Sequence, residues 1–476
     1  MVALVISLAL FFDFTNGFHD TANAMATPIA TGAIKPKTAV ALAAVLNLVG
    51  AFLSTEVAKT VSGGIIKEGS DGVQITPDII FAGLMGAILW NMITWLKGLP
   101  SSSSHALFGG LIGAAIAGIG IHAINFESIL QKIILPAVFA PVIAGGVAYL
   151  CTRLAYALTA RHDPETGDKL TQKRGGFRTG QVFTSSLVAL AHGTNDAQKT
   201  MGIITLVLIS AGLQPAGSGP EWWVITACAF AIAIGTYSGG WRIIRTMGSG
   251  LTEVKPAQGF AAETSTATAI LASSHLGFAL STTQVASGSV VGSGMGRRGT
   301  TVRWGTAGRI AIGWLFTLPA AGIMGALTAL LVQTGVVGVI IAATAGTAAV
   351  AYMFVRSRKS PVGSNNAVEI EEVGQAVQFR KEVHRQGPQE FRRQRDQERE
   401  RQAMKWLELF TVAGATLLSA VTVVVLYALG VRLTAIAGDI RNSPASWTRP
   451  LAYACFAVCG VAILFGLYLI IPYFHK

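Results

Sequence analysis

The stretches Asn16-Gly-Phe-His-Asp20-Thr-Ala-Asn23 and His192-Gly-Thr-Asn195-Asp196-Ala-Gln-Lys199 lie inside segments otherwise apolar enough to cross a bilayer. Carboxylates, amides and imidazoles at membrane depth are costly, so they face a bundle interior or an aqueous path and bind something. The two stretches share their internal order, with Asp20 matching Asp196. This is the pattern of a duplicated site in a membrane transporter.

The composition agrees. Of 476 residues, 51% are hydrophobic and 13% charged, with a mean hydropathy of +0.54. A soluble domain carries about 25% charged residues. Val336 to Val355 has no charged residue, and Trp406 to Val431 and Leu451 to Phe474 are nearly as apolar. Each can cross ~30 Å of hydrocarbon as a helix, which satisfies its own backbone hydrogen bonds. The net charge of +12 does not indicate nucleic acid, because the basic residues lie between apolar segments, as in cytoplasmic loops. Cys151, Cys228, Cys455 and Cys459 fall in apolar stretches without CxxC spacing and read as core residues. The first segment lacks a basic n-region and a cleavage site, so a retained helix is expected. Trp90, Trp95, Trp222, Trp241 and Trp406 sit near span ends and read as interface anchors.

If the basic loops are cytoplasmic, the spans can be walked in order. The expected fold is an all-α integral membrane protein with inverted-topology repeats, broken helices and two re-entrant helical hairpins, about nine full spans besides the hairpins. Residues 1–160 form the first repeat, 161–178 a cytoplasmic loop and 179–334 the inverted second repeat. Residues 335–355 add a span, 356–403 a charged cytoplasmic insert of solvated helix or disordered chain, and 404–476 two C-terminal spans. In the first repeat, a broken span at 1–34 precedes 38–58. The hairpin arms 79–96 and 102–120 flank Lys97 to His105, and 127–160 closes the unit. In the second, a broken span at 180–213 precedes 222–241. Arms at 256–276 and 279–295 flank Ser273 to Gln284, and 303–331 closes it. Half-length apolar pieces around a polar break favour hairpins. Ser103-Ser104-His105, followed by Gly109, matches Thr282-Thr283-Gln284, followed by Gly288.

These breaks carry chemistry. Ser101, Ser102, Ser103 and Ser104 follow Pro100 and precede an apolar helix; Ser281, Thr282 and Thr283 repeat the arrangement. Hydroxyl caps, free N–H groups and a positive dipole end make a helix start an oxyanion site. One such run would merely cap a helix; two at matching breaks can cradle a tetrahedral anion. Asp20 and Asp196, with Asn16, Asn23 and Asn195, offer oxygen ligands for Na⁺ or a carboxylate for H⁺. The cation would compensate an anion that a low-dielectric site otherwise repels, which is the basis of symport. His19 and His192 could titrate near neutral pH or simply pack. Lys199 could neutralise Asp196 instead, leaving that half without a cation. Glu56 and Glu263 stand in apolar helices and could carry a proton, ligate a cation or bond across the repeats, or, for Glu56, simply reach the outer interface.

NGFHDTANA at Asn16 to Ala24, WNMITWLKGLPSSSSH at Trp90 to His105, HGTNDAQKTMG at His192 to Gly202 and STTQVASGSVVG at Ser281 to Gly292 resemble the paired signatures of the inorganic phosphate transporter (PiT) family. The resemblance covers most of residues 10–330. It implies symport of inorganic phosphate with Na⁺ or H⁺ by alternating access, in the inner (plasma) membrane. It places cation-linked residues at Asp20, Asn23, Asn195 and Asp196, with Na⁺ at Asp20, Asn23 and Asp196 in the sodium-coupled case. It places phosphate contacts at Ser102 to Ser104 and Ser281 to Thr283, and intramembrane glutamates at Glu56 and Glu263. The NGFHD and NDAQK forms are similar to the bacterial low-affinity branch, implying proton coupling and acceptance of metal–phosphate complexes. His19, Lys199, Ala279 and Gln284 depart from the common pattern and weigh against a symmetric pair of Na⁺ sites.

No cofactor is expected beyond the coupling ion. The partners are phosphate, that ion, the lipid bilayer and a second copy in a homodimer. Sulfate is the rival cargo, and a passive channel the rival mode. An intramembrane enzyme is disfavoured because no nucleophile–base pair, HExxH or nucleotide-binding loop is present.

Overall fold

The computed structural model describes residues 1–63, 75–159, 176–275, 280–367, 395–437 and 447–470. Among these the chain is helical, apart from loops and an isolated bridge between Thr252 and Val302. In order the helices are α1 (Val2–Ala30), α2 (Pro36–Ala51), α3 (Glu56–Gly63), α4 (Pro77–Leu96) and α5 (Ser103–Gly118). There follow α6 (Phe126–Thr159), α7 (Phe177–Ser210), α8 (Trp222–Ser238), α9 (Trp241–Gly250), α10 (Pro256–His275) and α11 (Thr282–Gly296). The chain continues through α12 (Trp304–Val332), α13 (Val336–Ser357), α14 (Arg395–Ala437) and α15 (Thr448–Ile470). Seven helices are long and apolar enough to cross a membrane, or eight if the bent pair α8–α9 is one span.

The breaks differ from the expected ones. α1 and α7 carry the polar clusters yet run unbroken for 29 and 34 residues. Their hydroxyls bond back onto their own turns: Thr21 Oγ1 donates to Gly17 O at 2.7 Å and Thr194 Oγ1 to Leu190 O at 2.9 Å. Such local bonding satisfies the polar groups inside a helix without opening it. The interruptions fall instead in the following segments. The chain turns between α2 and α3, and it bends by 59° between α8 and α9 at Gly239-Gly240. Gly239 has φ +70°, a conformation that favours glycine.

α4 has 20 residues and qualifies as a full span, longer than the half-length arm expected there, whereas α5 has 16. The far part of the charged insert, from Arg395, is continuous with α14. The loop 161–175, the stretch 276–279 and residues 368–394 lie outside the described residues. Trp95 is no interface anchor. It is 6% exposed, with ring centroids 4.9 Å from Phe18 and 5.4 Å from Phe354, so it pins α13 to α1 and α4. The four cysteines are free, and three of them are buried.

Packing is duplicated. α1 lies on α8 as α7 lies on α2, and α5 lies on α12 as α11 lies on α6. The close approaches recur residue for residue. A Cβ at Gly17 would stand 2.2 Å from Ile232 O, and one at Gly193, the matching position of α7, 2.3 Å from Asn47 O. Backbone contacts this tight exclude any side chain. Gly193→Ala is therefore expected to cost about 1–3 kcal/mol through overpacking. A detergent melt should show the loss as a drop of several degrees, and an unchanged melt would disprove this contact. α14 packs on α6 and α10 and carries α15; its Tyr427 lies tilted against Phe260, ring centroids 4.6 Å apart, and donates to Gly176 O at 3.0 Å.

Candidate functional site

The polar centres of α1 and α7 meet the starts of α5 and α11 in the middle of this packing. Ser102 caps α5 by accepting from His105 N at 3.1 Å, and Ser281 caps α11 by accepting from Gln284 N at 3.3 Å. The residues just inside each cap turn to the carboxylates. Ser103 donates to Asp20 Oδ2 at 3.0 Å, and Thr282 donates to Asp196 Oδ2 at 3.1 Å. Thr283 donates to Asp20 Oδ1 at 3.1 Å and Thr282 also to Asp20 Oδ2 at 3.5 Å. Both helix starts thus converge on one buried carboxylate. Asp20 and Asp196 are 1% and 0% exposed.

Histidine and lysine complete the centre. His192 Nε2 lies 3.0 Å from Asp196 Oδ2 and 3.9 Å from Asp20 Oδ2, while its Nδ1 is 3.2 Å from Asn47 Oδ1. Asp20, His192 and Asp196 bring their ligand atoms within 4.8 Å of one another, compatible with a shared cation. His19 Nδ1 is 2.6 Å from Asp20 Oδ1. Lys199 donates to Asp196 Oδ1, to Ser104 Oγ at 2.6 Å and to Leu280 O at 3.1 Å. Asn23 Nδ2 donates to Thr283 Oγ1 at 3.1 Å and Thr282 Oγ1 at 3.3 Å.

The expected residues therefore separate. Asp20, Asp196, His19, His192, Asn23, Ser103, Ser104, Thr282 and Thr283 are brought together. Ser102 and Ser281 are engaged as caps, and Ser101 bonds Thr94 at 2.8 Å. Asn16 is buried one turn before Asp20, its Oδ1 in no hydrogen bond. Asn195 donates to Ser274 Oγ on α10 at 2.8 Å. Glu56 stands apart: it opens α3, is 42% exposed and pairs with Lys59 at 2.9 Å. The apolar run before it ends with α2, so the expected intramembrane glutamate is a helix-start residue.

Glu263 is buried, joining three helices. Its Oε1 accepts from Thr27 at 2.6 Å and Gln181 at 3.0 Å, and its Oε2 from Thr184 at 2.7 Å. Glu263→Ala leaves those donors unmatched, at about 1–3 kcal/mol each. The melt should fall sharply, and less for Glu263→Gln, which keeps an acceptor. Equal melts for both variants would refute the network.

Three features had no expectation. The carbonyl of Leu280 carries no side-chain signal. Gln198 Oε1 accepts from the backbone N of Val57 at 2.7 Å and of Ala58 at 3.3 Å, capping α3 from another helix. Asp13, one acid in an apolar run, was visible; it is fully buried against Thr200.

Comparison with known proteins gives consistent results. The sequence model of the phosphate transporter family matches residues 16–325, ending before α13. A protein of Mycobacterium bovis named "Probable low-affinity inorganic phosphate transporter" is 52% identical over 369 residues, covering 77% of this chain and 86% of the relative. A Bacillus subtilis protein of the same name is 42% identical over 330 residues, 69% of this chain and 96% of the relative. Among solved structures, "The sodium-dependent phosphate transporter" matches with a TM-score of 0.61. It is 23% identical and covers 70% of this chain and 99% of that one.

Proposed function

Since the chain belongs to the phosphate transporter family, and is therefore a membrane transporter and not an enzyme, we propose that it is a symporter importing inorganic phosphate with a proton. The shared acceptor carries this reading: hydroxyls from both helix starts donate to Asp20, and Thr282 also donates to Asp196. While the carboxylates are bare they hold those donors. A cation or proton on them frees the hydroxyls of Ser103, Thr282 and Thr283 for a tetrahedral anion, which the two helix starts then favour. Charge compensation makes each ligand assist the other, and that reciprocity is coupling.

The proton is preferred on the strength of Asp13 and Lys199. A fully buried carboxylate such as Asp13 is costly when charged and a proton relieves it; the ammonium leaves less room for metal ions at Asp196. The second reading is Na⁺ at Asp20, Asn23 and Asp196. Their oxygen donors favour it, as does the likeness in fold to a sodium-dependent phosphate transporter. The duplicated packing supports inverted repeats, with α4–α5 and α10–α11 as hairpins whose tips meet at mid-depth. Alternating access, an inner-membrane location, a homodimer and acceptance of metal–phosphate complexes belong to the same proposal.

Labelled phosphate uptake into proteoliposomes is the test. A proton gradient should drive accumulation, and excess sulfate should leave it intact. Uptake indifferent to both proton and sodium gradients would overturn symport; a sodium response alone would select the second reading.

A further inference from the structure

On the symport reading above, we propose that Lys199 is a tethered cation occupying one half of a two-fold site, so that the chain carries a single mobile coupling cation, at the Asp20 half. Asn23 and Lys199 each lie three residues after the aspartate of their own helix. Ser104 and Thr283 each lie two residues after the cap of theirs. In this register the contacts correspond. Asn23 reaches Thr283, and Lys199 reaches Ser104. Ser103 donates to Asp20 as Thr282 donates to Asp196.

The two halves differ in fixed charge: Asp20 is faced by the imidazoles of His19 and His192, and Asp196 by His192 and the Lys199 ammonium. Lys199 places an ammonium directly on Asp196, and its remaining protons are taken up by Ser104 Oγ and Leu280 O. Its donors are used, and Asp196 has its counter-ion. Asn23 offers only a neutral amide, and its Nδ2 turns to the threonines. Its Oδ1 is buried, with the side chain 6% exposed, and accepts nothing. An unmatched amide oxygen one turn after Asp20, on an amide that shares Thr282 and Thr283 with its carboxylate, is a candidate ligand for a proton-bearing species or a small hard cation. The position that matches Asn23 in the second half offers no such oxygen, because lysine has no acceptor. A fixed charge cannot be carried across with the substrate, so it removes one ion from the cycle while keeping the anion compensated.

The test uses the full chain. In detergent, without phosphate, melting is followed against NaCl, with choline chloride at equal ionic strength, and against pH. A ligand that binds only the folded state raises the melting temperature. Lys199→Asn should gain cation-dependent stabilisation beyond that of the wild type. In proteoliposomes, its slope of log phosphate accumulation on log cation gradient should rise by about one. Lys199→Arg should keep the wild-type slope. The mirror variant Asn23→Lys should lose the wild-type cation dependence of melting. The sodium and proton arms identify the ion.

Wild-type slope and melting behaviour in Lys199→Asn would overturn the proposal. So would unchanged cation dependence in Asn23→Lys, which decides the matter if Lys199→Asn does not fold. Wild-type protein that fails to accumulate phosphate would remove the symport reading, while the melting comparison still judges Lys199 on its own.

Discussion

Asp20→Asn is expected to lower phosphate uptake about a hundredfold or more, because removing one member of a buried charged network costs about 3–5 kcal/mol and each 1.4 kcal/mol is about tenfold. Asp20 collects Ser103, Thr282, Thr283 and His19, and it faces His192. It accepts from hydroxyls of both helix starts. Asparagine keeps the shape but brings donors where these hydroxyls need an acceptor, and it cannot compensate a cation. The loss should appear in initial rates from proteoliposomes whose protein elutes and melts like the wild type. Uptake within about twofold of wild type in Asp20→Asn would remove Asp20 from the centre of the mechanism.

The second large effect concerns the hydroxyls. Ser103→Ala and Thr282→Ala should each raise the phosphate KM by about 10- to 100-fold, since a hydrogen bond to a charged group contributes about 1.5–3 kcal/mol. Their effects should not add, because Thr282 touches Asp20 as well as Asp196 and therefore shares an acceptor with Ser103. A double-mutant cycle on KM measures the shortfall. Ser101→Ala is the control, since its hydroxyl serves Thr94. If that control matches the other two, the tips act through folding and not through anion contact.

Much of this centre was legible in the chain. Polar clusters inside apolar helices, and serine or threonine runs ahead of glycine-rich ones, follow from the cost of burying polar groups and the needs of helix starts. Both tell which residues are special. They do not tell which way each points. Ser101, Ser102 and Ser103 are adjacent and alike, yet one braces a turn, one caps and one reaches a carboxylate. Only the helix phase separates them.

The places where the chain breaks were less legible. α1 and α7 stay whole because their threonines bond locally, which hydropathy does not register. Glu56 read as buried because hydropathy continues past Ala51, although the helix does not. Trp95 read as an anchor because its aromatic partner Phe354 lies far away in the chain.

Gln198 has a consequence of its own. It is the immediate neighbour of Lys199 and lies two residues from Asp196, yet its side chain holds the first amides of α3. A small rotation of that part of α7, as ions arrive, would pull the clasp off a peripheral helix. Deuterium uptake at Val57 and Ala58 then becomes a remote gauge of occupancy, slow when the clasp holds and quick when it lets go.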